Sequence, residues 1–151
     1  MPNVTFDLIN CHASIRKYKP DPVPAETIEA LVVAAQRAST SSNRQMTSVV
    51  AVTDAATRAR LAELCGNQAH VAQAPVFLAW CADLNRLDRA CKLRGTTQVT
   101  DYVENSLVAA VDVAIAAQNA EMAANLLTDT RWRAQQSSTT DQRRPDVRFA
   151  T

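Results

Sequence analysis

Hydrophobic positions along the chain recur first at helical spacing, then in two short unbroken runs, then at helical spacing over a long stretch, and finally lose all period. After an opening segment containing Phe6, Leu8 and Ile9, the loop from Cys11 to Tyr18 leads into a run with Pro20, Pro22 and Pro24, which fixes an extended or turning path. Ile28, Leu31, Val32, Ala35 and Ala38 then repeat every three or four positions. This spacing predicts an amphipathic helix over residues 25–38 that begins near Pro24 and stops at the polar run Ser39 to Asn43. Ser48 to Thr53 and Val76 to Cys81 read as two short buried strands. Asp54 is placed to N-cap a helix carrying Leu61 and Leu64, which Gly66 and Asn67 close. Leu84, Leu87 and Cys91 predict a further short helix.

The longest element runs from about Thr100 to Leu127. Val103, Leu107, Val111, Ala114, Ile115, Gln118, Met122 and Leu126 mark one face, and alanines spread small side chains around the others. A helix so nearly apolar all round is expected to be buried, as a spine roughly 40 Å long in a domain or a dimer. Isolated polar residues in it, Asp112, Gln118 and Asn119, are expected to hydrogen-bond neighbouring elements or a partner chain rather than to act in catalysis. From Thr128 to Thr151 the chain turns arginine-rich and loses its period, so 1–127 reads as one domain and 128–151 as a disordered tail. Two strands and an uncovered spine do not make a stable sheet and core by themselves, which implies partners from a second subunit or from further chain.

Composition sharpens this picture in a few places. A chain of 151 residues, 47% hydrophobic with net charge +1, belongs to the globular class, and its charge gives no reason to expect a nucleic-acid partner. No apolar stretch reads as long enough for a membrane span and the start lacks signal-peptide order, so the expected location is cytoplasmic with no membrane partner. Cys11, Cys65, Cys81 and Cys91 form no C-x-x-C pair; with only two histidines present they read as buried free thiols, and no metal is expected. Two glycines, where about 7% is usual, indicate either a mostly helical chain or the absence of the glycine-rich part of a larger fold.

Four segments carry candidate chemistry. HASIR, from His12 to Arg16, sets an imidazole, a hydroxyl and a guanidinium within five residues; it reads either as a phosphate cradle, since arginine donates in a fixed fork, or as a solvated basic turn with Lys17 and Lys19. STSSNRQ, from Ser39 to Gln45, offers hydroxyl and amide groups, or is simply a helix stop. GNQAHVAQAP, from Gly66 to Pro75, contains Gln68, a donor and acceptor in one side chain or an exposed turn glutamine; His70 has no acid or nucleophile at a meaningful spacing and reads as structural or exposed. VDVAIAAQNA, from Val111 to Ala120, lies on the long helix.

In that order and at those separations, the four segments resemble the FMN-dependent nitroreductases of the NADPH-oxidoreductase type, which include oxygen-insensitive nitroreductases and flavin reductases. The resemblance covers about residues 5–127. It implies an α+β nitroreductase-like fold with a long central helix and a small sheet, and a homodimer with FMN at each end of the subunit interface. The implied activity passes hydride from NADPH or NADH through the flavin to a small-molecule acceptor: a nitroaromatic, a quinone or free flavin. The implied FMN contacts are His12, Ser14, Arg16, Thr40, Ser41 and Gln68. Ser42 and Asn43 fall nearer the substrate, Asn43 and Arg44 standing where relatives often carry apolar residues. No residue is expected to act as a catalytic acid, because protons can come from solvent. The likeness ends after Ala124, where relatives continue into a glycine-rich strand and loop; a chain truncated or frameshifted at about residue 125 is expected. The alternative function is a non-catalytic remnant that at most dimerises through its long helix.

Overall fold

The computed structural model describes residues 3–10, 12–99 and 101–127. Cys11, Thr100 and the expected tail at 128–151 lie outside them. Among the described residues, six helices and two strands follow in the order α1 (Val4–Asn10), α2 (Ala25–Ala35), β1 (Thr47–Val52), α3 (Ala55–Leu64), α4 (Ala69–Gln73), β2 (Phe77–Ala82), α5 (Leu84–Leu93) and α6 (Val103–Leu127), with a 3-10 turn at Ser41–Asn43.

Local chemistry sets most boundaries. Pro24 has the extended φ/ψ of a residue just before a helix, and its carbonyl accepts from the amides of Thr27 and Ile28. Helix α2 stops at Ala35, three residues before the expected end, and Gln36 to Ala38 form a turn. Asp54 caps α3 by accepting from Thr57 N at 2.7 Å and Thr57 Oγ1 at 2.6 Å. Gly66 and Asn67, with φ of 81° and 58°, reverse the chain beyond it. Asp83 caps α5 through Arg86 N, and its other carboxylate oxygen accepts from Ser48 Oγ at 2.5 Å, tying β1 to the start of α5. Those hydrogen bonds, the Thr57 hydroxyl foremost for Asp54 and the Ser48 hydroxyl foremost for Asp83, hold both carboxyls below the usual carboxylate range.

The strands pair antiparallel, with Thr47 opposite Ala82 and Val52 opposite Phe77. Leu78 and Trp80 project from β2 onto a core formed by Leu31 and Ala35 of α2 and Ala116 and Ala120 of α6. The strands are not buried as expected. Every residue in them is half-buried or exposed, and Val50 is 54% exposed, because only two strands are present among the described residues and one face of the pair lacks the cover that a central strand receives.

Helix α6 also departs from expectation. Its buried stripe is Asn105, Ala109, Asp112, Ala116 and Ala120, whereas the large residues expected to face the core, Val103, Leu107, Val111, Ile115 and Leu126, are exposed. The helix packs against α2, β1 and β2 on one side, and alanine there lets the α2 backbone approach closely. With apolar residues all round, hydrophobicity alone did not select the face. Val103–Leu127 is moreover long and apolar enough to cross a membrane by length and composition, with mean hydropathy 1.3, which corrects the expectation that no such stretch exists; its few scattered acidic residues made it read as shorter. Here it packs as the spine of the domain, with Asn105 and Asp112 turned toward protein.

The three cysteines among the described residues are free but not buried. Cys65 and Cys81 are exposed and Cys91 is half-buried, because they sit at the C-cap of α3, near the open end of β2 and on an outer helix.

Candidate functional site

The polar segment after α2 is held by contacts to distant parts of the chain. Ser42, Asn43 and Gln45 all have φ near +50°, a conformation that asparagine accepts but that crowds Cβ against the carbonyl in serine and glutamine. Three anchors hold it. Ser41 donates its amide to both carboxylate oxygens of Asp112, at 3.2 and 3.0 Å, and its hydroxyl to Oδ1 at 3.2 Å. Arg44 donates to Asn105 Oδ1, and Asn105 Nδ2 reaches Val99 O at 3.3 Å. Met46 is fully buried, and its carbonyl accepts from Asp83 N at 2.8 Å.

Beside this segment lies a cavity of about 630 Å³ between the end of α2, the two strands and α6. Thr40, Asn43 and Gln45 line it from the loop, facing Trp80 and Arg86. Hydroxyl, amide, indole and guanidinium groups around one concavity suit a planar polar heterocycle or an anion. Of the expected contacts, the structure brings Thr40 and Asn43 into this cavity. Ser41 and Ser42 are exposed outside it, and the donors of Ser41 are already engaged by Asp112.

The amino-terminal group lies elsewhere. Ser14 and Arg16 are exposed and make no hydrogen bond or ion pair among the described residues, so the donors of Arg16 are open to an anion. His12 Nδ1 lies 3.6 Å from Glu121 Oε1 on α6. Gln68 is exposed at the N-cap of α4, with its side-chain amide unengaged among the described residues. No hydrogen bond or ion pair among the described residues joins the amino-terminal group, the cavity loop and Gln68. Asp112 and Glu121, which tether two of them, are nine residues apart on α6. At about 100° per residue their side chains leave the helix on opposite sides.

The model of the nitroreductase family matches residues 10–127. The chain belongs to the nitroreductase family. It is 39% identical over 127 residues to the FMN reductase [NAD(P)H] of Bacillus subtilis, covering 83% of this chain and 51% of that protein. Against the oxygen-insensitive NADPH nitroreductase of Salmonella typhimurium it is 39% identical over 123 residues, with 82% and 50% covered. Among solved structures, B. megaterium NfrA1 superposes with a TM-score of 0.79 at 39% identity, over 83% of this chain and 51% of that one. The fold is therefore nitroreductase-like, and the chain spans about half the length of the curated relatives it matches.

The sequence reading missed the contribution of Trp80 and Arg86 to the cavity, which only the strand pairing brings into place. The expected structural role of Asp112 is seen, while Gln118 is exposed and Asn119 half-buried, and neither has a hydrogen-bond partner among the described residues.

Proposed function

We propose that this chain carries the amino-terminal share of an FMN site in an NAD(P)H oxidoreductase whose acceptors are nitroaromatics, quinones or flavins. The observation that carries this reading is the pair of groups left open on the surface: the donors of Ser14 and Arg16, beside His12, and the polar cavity edge of Thr40 and Asn43. Arg16 and Ser14 suit a phosphate dianion, with the guanidinium supplying a charge-assisted fork. Thr40 and Asn43 offer donors and acceptors to a ring edge, and Gln68 adds an amide able to do both. When bound, FMN would supply the hydride chemistry; these residues bind and orient it.

The two groups are tethered to opposite sides of α6, so one chain does not close a site around a single flavin by itself. A homodimer packed along the exposed ridge of α6 would let the amino-terminal group of one copy meet the cavity loop of the other. We place such a dimer in the cytoplasm. The second reading, a non-catalytic chain that only dimerises, draws on the same ridge. Oxidation of NADPH by the purified 151-residue chain with a nitroaromatic acceptor and added FMN separates the two. FMN-dependent turnover supports the enzyme, and none above free FMN leaves the chain that only dimerises. We expect slow turnover, because hydride transfer needs donor and acceptor held in near-attack geometry and the chain spans about half the length of its curated relatives.

A further inference from the structure

We infer that Asp112 is a positioning residue: its buried carboxylate holds the Thr40–Gln45 segment in the left-handed conformation that turns Thr40 and Asn43 into the cavity. The inference rests on the proposed flavin site for its functional half, and on geometry alone for its structural half. Aspartate is a poor choice inside a helix, and a carboxylate 2% exposed is costly unless it is hydrogen-bonded. No ion pair among the described residues involves Asp112. Its hydrogen-bond partners among the described residues are the amide and hydroxyl of Ser41, a residue 71 positions away at the entry to the 3-10 turn. Immediately beyond that grip come Ser42 and Asn43 with positive φ, then Gln45. Backbone in such sparsely populated regions persists only where surrounding contacts over-determine it. Asn105, one heptad earlier on the same stripe of α6, takes Arg44, so Ser42 and Asn43 lie between two polar anchors on one helix face and Gln45 directly follows the second. Ser41 thereby acts as a strut rather than as a ligand, since both its donors are spent on Asp112.

Hydrogen exchange of the ligand-free chain tests the hold directly. In Asp112→Asn, the amide nitrogen of Ser41 loses its charged acceptor, and its exchange should quicken by about tenfold, while the amides of Val49 and Trp80 in the strand pair change by less than about twofold. Should Asp112→Asn fail to fold, Ser41→Ala, which removes only the hydroxyl bond, is expected to quicken the same amide by about threefold. An FMN titration supplies the second readout: Asp112→Asn should weaken binding by about tenfold. Adding Ser42→Gly should restore most of that loss, because glycine takes the left-handed conformation without support. Unchanged exchange at Ser41 in the folded variants overturns the inference. So does quickened exchange with unchanged FMN affinity, or weakened affinity that Ser42→Gly leaves unrepaired. A parent chain that binds no FMN defeats the proposed function instead, and the exchange result alone then decides whether Asp112 holds the loop.

Discussion

Replacing Leu107 by glutamate should dissociate the homodimer proposed along α6. Leu107 is 63% exposed and continues a ridge with Val103, Val111 and Ile115, which are 78%, 57% and 41% exposed. Burying a leucine side chain fully is worth about 1.5–3 kcal/mol, so covering the fraction of Leu107 left open contributes about 1–2 kcal/mol. In a two-fold symmetric contact the residue counts twice, which makes the loss about 2–4 kcal/mol before any cost of placing a carboxylate in an apolar interface. The dimer dissociation constant should therefore rise by about one and a half to three decades. Sedimentation equilibrium reads this as a shift from twice the 16.4 kDa chain mass toward the chain mass itself over the same concentration range. Lys92→Glu, on an outer helix, serves as a control that leaves the equilibrium unchanged. A parent chain that stays monomeric across the accessible range, or a Leu107→Glu protein that associates like the parent, would refute the placement of the interface on this ridge.

Two other predictions follow from single groups. Arg16→Ala should weaken FMN binding by about one to two decades, the worth of a charge-assisted hydrogen bond, whereas Lys19→Ala should change it little; fluorescence titration of FMN reads both. Asp54 and Asp83 have folded pKa values below 3.8, so each stabilises the fold above its unfolded value and loses that contribution as pH falls through the folded one. Thermal melts should accordingly show stability declining as pH drops below about 3.8, with a smaller decline in the Asp54→Ala, Asp83→Ala double variant; an identical acid profile in the two proteins would remove these caps as its source.

Where a boundary depends on a residue's own chemistry, the sequence was legible. Pro24, Asp54, Asp83 and the Gly66-Asn67 pair each mark an element end in the structure, because caps and turns are decided within three or four residues. The orientation of α6 was not legible. Periodicity identifies a face only when the other faces are polar, and here alanine surrounds the branched residues, so close approach to α2 chose the alanine stripe. The candidate site divides in the same way. The residue types of the Ser39 to Gln45 segment announce a polar loop, but its left-handed backbone and its grip on Asp112 depend on a contact across 71 positions, which no local pattern encodes. Trp80 and Arg86 enter the cavity for a similar reason, through a strand register that the two apolar runs do not specify.

The most direct test of the central claim is an FMN titration of the 151-residue chain, followed by flavin fluorescence, beside the same titration of Arg16→Ala. A flavin site without two of its charge-assisted hydrogen bonds would bind about two to four decades more weakly than a complete one. The account predicts saturable binding weakened to that extent, and weakened further by Arg16→Ala. Absence of saturable binding, tight stoichiometric loading, or a titration that Arg16→Ala leaves unchanged would contradict it.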